Sequence, residues 1–502
     1  MTVTLAGGAP APAVESAYEE VCRVVAAASA AAPAVAATAP ADRAQWLRAI
    51  ADAVLAQAPA LAALADEETG LGLPRLDGEV LRCATQLRFY ADVCVDGGWL
   101  GATIDHATAT TPDLRRVQVP LGPVAVFGAS NFPFGFGTLG NDTGSALAAG
   151  APVVVKGHPA HPRTHAALAD IAREALAEAG APAGTFGAVT GLAAGEQLVL
   201  APEIAAVAFT GSEAGGMALH RLAATRAIPV SVYAEMGTVN AVVLTTTAVE
   251  RLAELAHGCL ASFTMGMGQF CTKPGLVLVP AESGFAARLG AELHDTPPKG
   301  VLLTTGIHEG YGRGIQDLLA AGAYGVARSD AATPIGPAVW VLGADPTLIR
   351  ADSPLLRECF GPVVLVVEYA DSAQRDELIA ALPGALVASV MSGGPGDPEV
   401  ADLVAALAPK VGRVAVDAWP TGVATTWAQQ HGGPWPATTD PRATSVGAAA
   451  LGRFTRPVAY QGAPAAALPV PLQEKNIWRI SRRIDGRIRV PKEAKVARCA
   501  VP

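Results

Sequence analysis

Four short apolar runs recur between residues 122 and 237, each closing on glycine or a polar side chain: GPVAVFGAS (122–130), PVVVKGH (152–158), AAVAFTGS (205–212) and PVSVYAEMG (229–237). Helix-period stretches lie between them, HAALADIAREALAEAG (165–180) and MALHRLAATR (217–226). Apolar strands alternating with helices point to an α/β fold, a parallel sheet covered on both faces. Ligands of such sheets bind at the carboxyl ends of the strands. The Gly, Ser, Lys and Glu residues of these runs fall there.

The rest of the chain extends the pattern. At 502 residues it is long enough for two or three domains with sizeable interiors. From about 15 to 95 apolar residues recur at helical spacing, as in DRAQWLRAIADAVLAQ, which predicts an N-terminal helical layer. From roughly 240 to 450 a second α/β pattern runs through PGLVLVP (274–280), FGPVVLVVEY (360–369) and ALVASVMSG (385–393). The last stretch, NIWRISRRIDGRIRVP, alternates Ile or Val with Arg around Asp485-Gly486, a dipeptide suited to a hairpin turn. Residues 471–498 carry nine Lys or Arg against three acids, which reads as a solvated β-edge or a subunit contact rather than a nucleic-acid surface.

Composition excludes several classes. The formal charge of −9 gives no field to gather nucleic acid or anionic lipid, so neither is an expected partner. Apolar residues reach 51% mainly through alanine, and the uncharged run Val24–Ala41 gains little from lipid, so the expectation is no membrane span but a soluble helix broken by proline. The start lacks a charged region followed by an apolar one, and the seven scattered cysteines show neither a disulfide framework nor CxxC spacing. A reducing cytoplasm fits. Histidines such as His220, His257 and His294 stand alone, so no metal site is expected.

One cysteine has unusual surroundings. FTMGMGQFCTKPG (263–275) sets Cys271 in a stiff loop between a helix and a strand, with Gly266 and Gly268 allowing close approach. A free cysteine is commonly a small buried hydrophobe, and composition leaves that reading open beside a nucleophile. Other chemistry gathers at the strand ends: Asn131 in GASNFP, Lys156 in VVVKGH, Gly211-Ser212 in AFTGS and Glu235 in YAEMG.

These motifs in this order, with GQFCT and ECFGPV, resemble the aldehyde dehydrogenase superfamily. EETGLGLPRLDGEVLRCATQLRFYADV (67–93), KGHPAHPRT (156–164), HGGPWPATTDPRATSVG (431–447) and the terminal IWR…DGR are similar to its branch of bacterial NADP-linked and α-ketoglutarate (2,5-dioxovalerate) semialdehyde dehydrogenases. The resemblance spans about residues 15 to 490. It implies a Rossmann-type dinucleotide-binding domain (1–101 and 121–238), a second, catalytic α/β domain (239–450), and a small β oligomerisation element (102–120 and 451–502) supporting a homodimer or homotetramer.

It also implies roles. Cys271 as thiolate would attack the aldehyde, with Asn131 and the Cys271 N–H as oxyanion donors. Glu235 would activate water against the thioester, its pKa raised by an apolar strand end. His431 would lie near the thiol. Lys156, with His158 and Pro159 after it, and Gly211-Ser212 at a helix N-terminus would bind NAD or NADP. Glu358 would take the nicotinamide ribose, with Phe360 beside the ring. NAD-selective relatives often carry glutamate three residues after the lysine. Here Pro159 stands there, yet 191–203 offers no arginine for a 2′-phosphate, so the coenzyme stays open between the two.

The substrate is expected to be a semialdehyde, with Lys273 a candidate for its carboxylate and a fatty or aliphatic aldehyde as the alternative. An acylating enzyme handing the thioester to coenzyme A would not need Glu235. A non-catalytic dinucleotide binder would not need Asn131, Glu235 and Cys271 together. Cys359 reads as a small filler.

Overall fold

The computed structural model describes residues 15–331 and 336–491. Residues 1–14 of the first expected domain, and 492–502 of the last with its three final basic residues and Cys499, lie outside the described residues.

Three sheets organise the described residues. The first is five-stranded and parallel, ordered Phe186–Thr190, Val153–Gly157, Val124–Phe127, Ala206–Gly211, Ser231–Met236. Its order reverses at Val124–Phe127, where the chain steps outward on one side and returns through Ala206–Gly211 on the other. A crevice opens at such a switch point beyond the strand ends. Residues 128–131 and 211–212 line it.

The second sheet has seven strands: Tyr324–Ser329, Val339–Gly343, Val363–Tyr369, Pro274–Pro280, Asn240–Leu244, Ala385–Met391 and Val411–Val416. Only the first, at an edge, runs antiparallel. The central strands are buried on both faces, which explains their unbroken Val and Leu runs. The third sheet is mostly antiparallel and joins distant parts of the chain: Thr455–Gln461, Leu114–Pro120, Thr103–Asp105, Arg482–Ile484 and Arg487–Arg489. The last two form the hairpin at Asp485 (φ 47°) and Gly486 (φ 77°), both left-handed as a tight turn requires.

Helices Pro40–Ala56 and Leu73–Asp96 pack on each other and bury Leu47, Ile50, Val80 and Leu87 beside the first sheet. Helix Tyr18–Ala37 is long and apolar enough by composition to cross a bilayer. It lies instead against Phe186–Thr190 and buries Val21, Val25, Ala28 and Val35. Proline does not break it: Pro33 sits inside the helix, where packing of Ala31 and Val35 carries the chain through one missing backbone bond. Pro40 opens the next helix, at a position whose N–H has no helical partner anyway.

Candidate active site

The thiol loop is held from three sides. After helix Leu252–Thr264, three consecutive residues, Gly266, Met267 and Gly268, take φ of 55°, 56° and 69°. The fully buried Gln269 pins the loop, its Nε2 donating to the carbonyls of Gly266 (3.0 Å) and Val301 (3.1 Å) while Oε1 accepts from Leu303 N–H (2.8 Å). Asn240 Nδ2 donates to the carbonyls of Cys271 (2.8 Å) and Lys273 (3.0 Å). Cys271 is thereby fixed, half-buried, on the wall of a cavity of about 590 Å³.

The same cavity is lined by Asn131, Glu235, Glu358 and Phe360, and by Gly211 and Ser212 at the crevice of the first sheet. Asn131 follows Val124–Phe127; its carbonyl accepts from Arg75 and its Nδ2 donates to Gln269 O at 2.8 Å. An amide nitrogen has two hydrogens. One is left for an oxyanion.

Glu235 and His431 meet because residues 431–447 fold back onto Ser231–Met236. Met236 N–H donates to Ala437 O at 2.9 Å, Thr439 N–H to Ala234 O at 3.3 Å, and Glu235 pairs with Thr438 in an antiparallel bridge. His431 Nε2 then lies 3.6 Å from Cys271 Sγ and 3.0 Å from Glu235 Oε1. Both side chains are almost wholly buried, at 1% and 3% exposure. Ser445 Oγ donates to Glu235 Oε2. Oε1 sits close to the ring nitrogen but too far off axis for a hydrogen bond, which leaves it a free acceptor.

The electrostatics correct one expectation. The sequence alone predicts a raised pKa for Glu235. Burial does push it up, but the charge of the His431 ring beside it and the hydrogen bond from Ser445 outweigh burial and hold the carboxyl below its ordinary value. Burial raises the Cys271 thiol well above its usual range, and the charges of Glu235 and Glu358 push the same way. Burial also raises Glu358 to about 7, against the pull of the Lys273 ammonium.

Lys273 corrects another. It is buried, and its Nζ donates to Val363 O at 2.8 Å, so it braces two strands of the second sheet and meets no substrate. Lys156 is buried at its strand end and packs on Gly195, where a Cβ would come within 3.5 Å of its Cγ. Neither it nor the exposed Pro159 lines the cavity; His158 does. Cys359 is buried in the core of the second sheet.

The cavity fits a dinucleotide. Ser212 caps helix Glu213–Ala224, whose N-terminus opens on it and suits a phosphate. Glu358 presses against Gly237, where a Cβ would lie 1.9 Å from its Oε2, so the carboxylate keeps its place on the cavity wall only beside glycine. No metal-ligand spacing marks the sequence, yet folding gathers the donor atoms of Glu235, Cys271 and His431 within 4.8 Å of one another.

Sequence reasoning also misses residues. Arg75 and Arg82, seven apart on helix Leu73–Asp96, stack on aromatic rings beside the thiol: Arg75 lies 5.0 Å from Phe132 and 5.2 Å from Phe270, Arg82 5.6 Å from both Phe132 and Phe136. Arg75 Nη1 is buried without a partner. Their signal was the shared helix face of Arg75, Glu79, Arg82 and Gln86. Ser445 lies in the 431–447 motif with no spacing to mark it.

Comparison with known proteins agrees with this arrangement. Residues 10–297 match the aldehyde dehydrogenase family. The chain is 44% identical to alpha-ketoglutaric semialdehyde dehydrogenase 2 of Azospirillum brasilense, over 89% of this chain and 87% of that one. It is 39% identical to alpha-ketoglutaric semialdehyde dehydrogenase of Acinetobacter baylyi, with the same coverage of each. The crystal structure of an NAD-dependent aldehyde dehydrogenase from Sinorhizobium meliloti superposes with a TM-score of 0.76 at 23% identity, over 90% of this chain and 89% of that one.

Proposed function

We propose, from the premise that the chain belongs to the aldehyde dehydrogenase family and oxidises an aldehyde to its acid, that the aldehyde is α-ketoglutarate semialdehyde and Cys271 the nucleophile. One observation carries the substrate reading: two guanidiniums stacked on the aromatic wall beside the thiol, one with an unpartnered buried nitrogen. Burial lowers the pKa of both arginines against the pull of the Glu79 carboxylate, so each gains from a further anion. A planar carboxylate suits their fork geometry. The names of the two relatives support the same substrate.

In this reading His431 takes the thiol proton across 3.6 Å, and the Glu235 carboxylate stabilises the imidazolium. Sγ attacks the carbonyl carbon. The second Asn131 amide hydrogen and the Cys271 N–H hold the oxyanion; losing one such donor typically costs ~2.7–4 kcal/mol. A bound nicotinamide dinucleotide supplies the hydride acceptor, between Glu358 and the helix that Ser212 caps. The thioester left on Sγ is then hydrolysed. The imidazolium first releases the thiol proton to solvent; Glu235 is ionised, and its Oε1 then accepts a water proton, which passes through His431 at 3.0 Å back to Sγ as the thiolate leaves. Exposed Pro159 presents no carboxylate to repel a 2′-phosphate, which supports NADP as well as NAD.

The test compares kcat/KM for α-ketoglutarate semialdehyde and a long aliphatic aldehyde, with each coenzyme and with or without coenzyme A. The semialdehyde is preferred, no coenzyme A is needed, and Arg75→Ala or Arg82→Ala lowers kcat/KM for it by about 10- to 100-fold, as loss of a charged hydrogen bond does, while sparing the aliphatic aldehyde. Equal losses on both aldehydes overturn the arginine assignment. Strict coenzyme A dependence identifies an acylating enzyme, and no reduction with any aldehyde a binder. We further infer a homodimer or homotetramer in the cytoplasm, supported by the exposed edge of the third sheet, with Ile488 uncovered, and by the free thiols of the described cysteines.

A further inference from the structure

The sequence shows no metal-ligand spacing because the donors come from three segments about 36 and 160 residues apart, 235, 271 and 431. Folding removes that separation. We infer that Cys271, His431 and Glu235 form a binding site for a soft or borderline divalent cation, zinc above all, whose capture withdraws the thiol reversibly from catalysis.

The geometry is that of a three-ligand zinc site. Tetrahedral zinc, with bonds of about 2.3 Å to sulfur and about 2.0 Å to nitrogen or oxygen, sets its ligand atoms roughly 3.3–3.5 Å apart. Here Sγ and Nε2 lie 3.6 Å apart, Nε2 and Oε1 3.0 Å, and all the donors fall within 4.8 Å. Side-chain adjustment of a few tenths of an ångström on the first two edges, and of up to about an ångström on the edge between Sγ and the carboxylate, closes the site.

The donors are also free in the right way. Ser445 Oγ donates to Glu235 Oε2, which orients the carboxylate and leaves Oε1, 3% exposed with its residue and without a hydrogen bond, facing the thiol and imidazole. Second-shell hydrogen bonds of this kind orient metal ligands. A thiolate and an imidazole favour zinc or cobalt over magnesium or calcium, which prefer oxygen. The open wall of the cavity leaves the fourth position to water.

On binding, bonds form from the metal to Sγ, Nε2 and Oε1. The S–H bond breaks, its proton leaves to solvent, and no electron is transferred. The lone pair that would attack an aldehyde is held by the metal instead. The site needs only these three donors; its effect on turnover rests on Cys271 being the nucleophile.

The experiment titrates chelator-treated full-length protein with Co²⁺, without coenzyme, and reads absorption. One equivalent is expected to produce a thiolate-to-cobalt charge-transfer band with tetrahedral d–d bands, which Zn²⁺ bleaches by displacement. Cys271→Ser removes the charge-transfer band, while His431→Ala and Glu235→Gln each weaken binding by about 10- to 100-fold, the range that even an outer-shell loss can reach. Zn²⁺ also protects Cys271 from alkylation until chelator is added. Absence of the band, or undiminished cobalt binding in both Cys271→Ser and His431→Ala, overturns the site. Metal-free protein that oxidises aldehyde but shows no band removes the metal site alone; a band without any aldehyde oxidation removes the dehydrogenase assignment alone.

Discussion

Cys271 rests as a thiol because burial and two carboxylates oppose its charge, so its reactivity depends on a base and on whatever cation enters the cavity. A raised pKa favours the protonated form over a wider range. Alkylation of the protein without coenzyme should therefore keep accelerating above pH ~9, where a free cysteine of pKa ~8.5 is already levelling off. A rate profile with a midpoint near 7 would contradict this. Glu235→Gln should leave the first turnover visible and stall the next, seen as a burst of reduced coenzyme in stopped flow. Glu358 titrates near 7, raised by burial, and accepts ribose hydroxyls best when ionised. The KM for coenzyme should accordingly fall as pH rises through about 7, and Glu358→Gln should flatten that dependence. That Asn131 and Glu235 stand at strand ends and Cys271 in a glycine loop was legible in the sequence, and the structure brings the three to one cavity; the roles proposed for them came with the family resemblance. The sign of the Glu235 shift was not, since it depends on a histidine and a serine that arrive from 196 and 210 residues further along.

At the scale of elements, the loop Met265–Gly268 sets how Cys271 approaches the segment of Glu358 and Phe360. Gly268 has φ 69°, and a Cβ there would lie 2.2 Å from the carbonyl of Gly361, in the segment that carries Glu358 and Phe360. Gly268→Ala should cost about 1–3 kcal/mol of stability and, by displacing groups by an ångström, about 100-fold in kcat/KM. Denaturant unfolding beside steady-state assay checks both. Retained activity would show that the contact relaxes cheaply. Buried, mostly apolar strands such as Val153–Gly157 and Ala385–Met391 could be read from the sequence pattern, as could the hairpin at Asp485-Gly486. Phe186–Thr190 escaped because FGAVT is short and two of its five residues are Gly or Ala, and Val411–Val416 because it is an edge strand interrupted by Gly and Arg. Residues 431–447 have no regular element to predict, yet they supply His431 and Ser445.

For the molecule as a whole, the third sheet is stitched from residues 103–120 and 455–489, so it ties two segments more than 300 residues apart in the chain. Arg115, nearly buried, secures the seam through Asp113 at 2.9 Å and Glu474 at 2.7 Å. Deleting 482–502 would expose the edge of Thr103–Asp105, and the proposed oligomer should be lost by light scattering while the first sheet stays intact by circular dichroism. An unchanged mass would place the subunit contact elsewhere. The pairing of Glu235 with Thr438 has a consequence during synthesis. A ribosome that has released the first sheet and the cysteine loop has still made no competent catalyst, because the base beside the sulfur is translated about 160 codons after it. Nascent chains thus pass through a period in which the thiol is present and its proposed base is not.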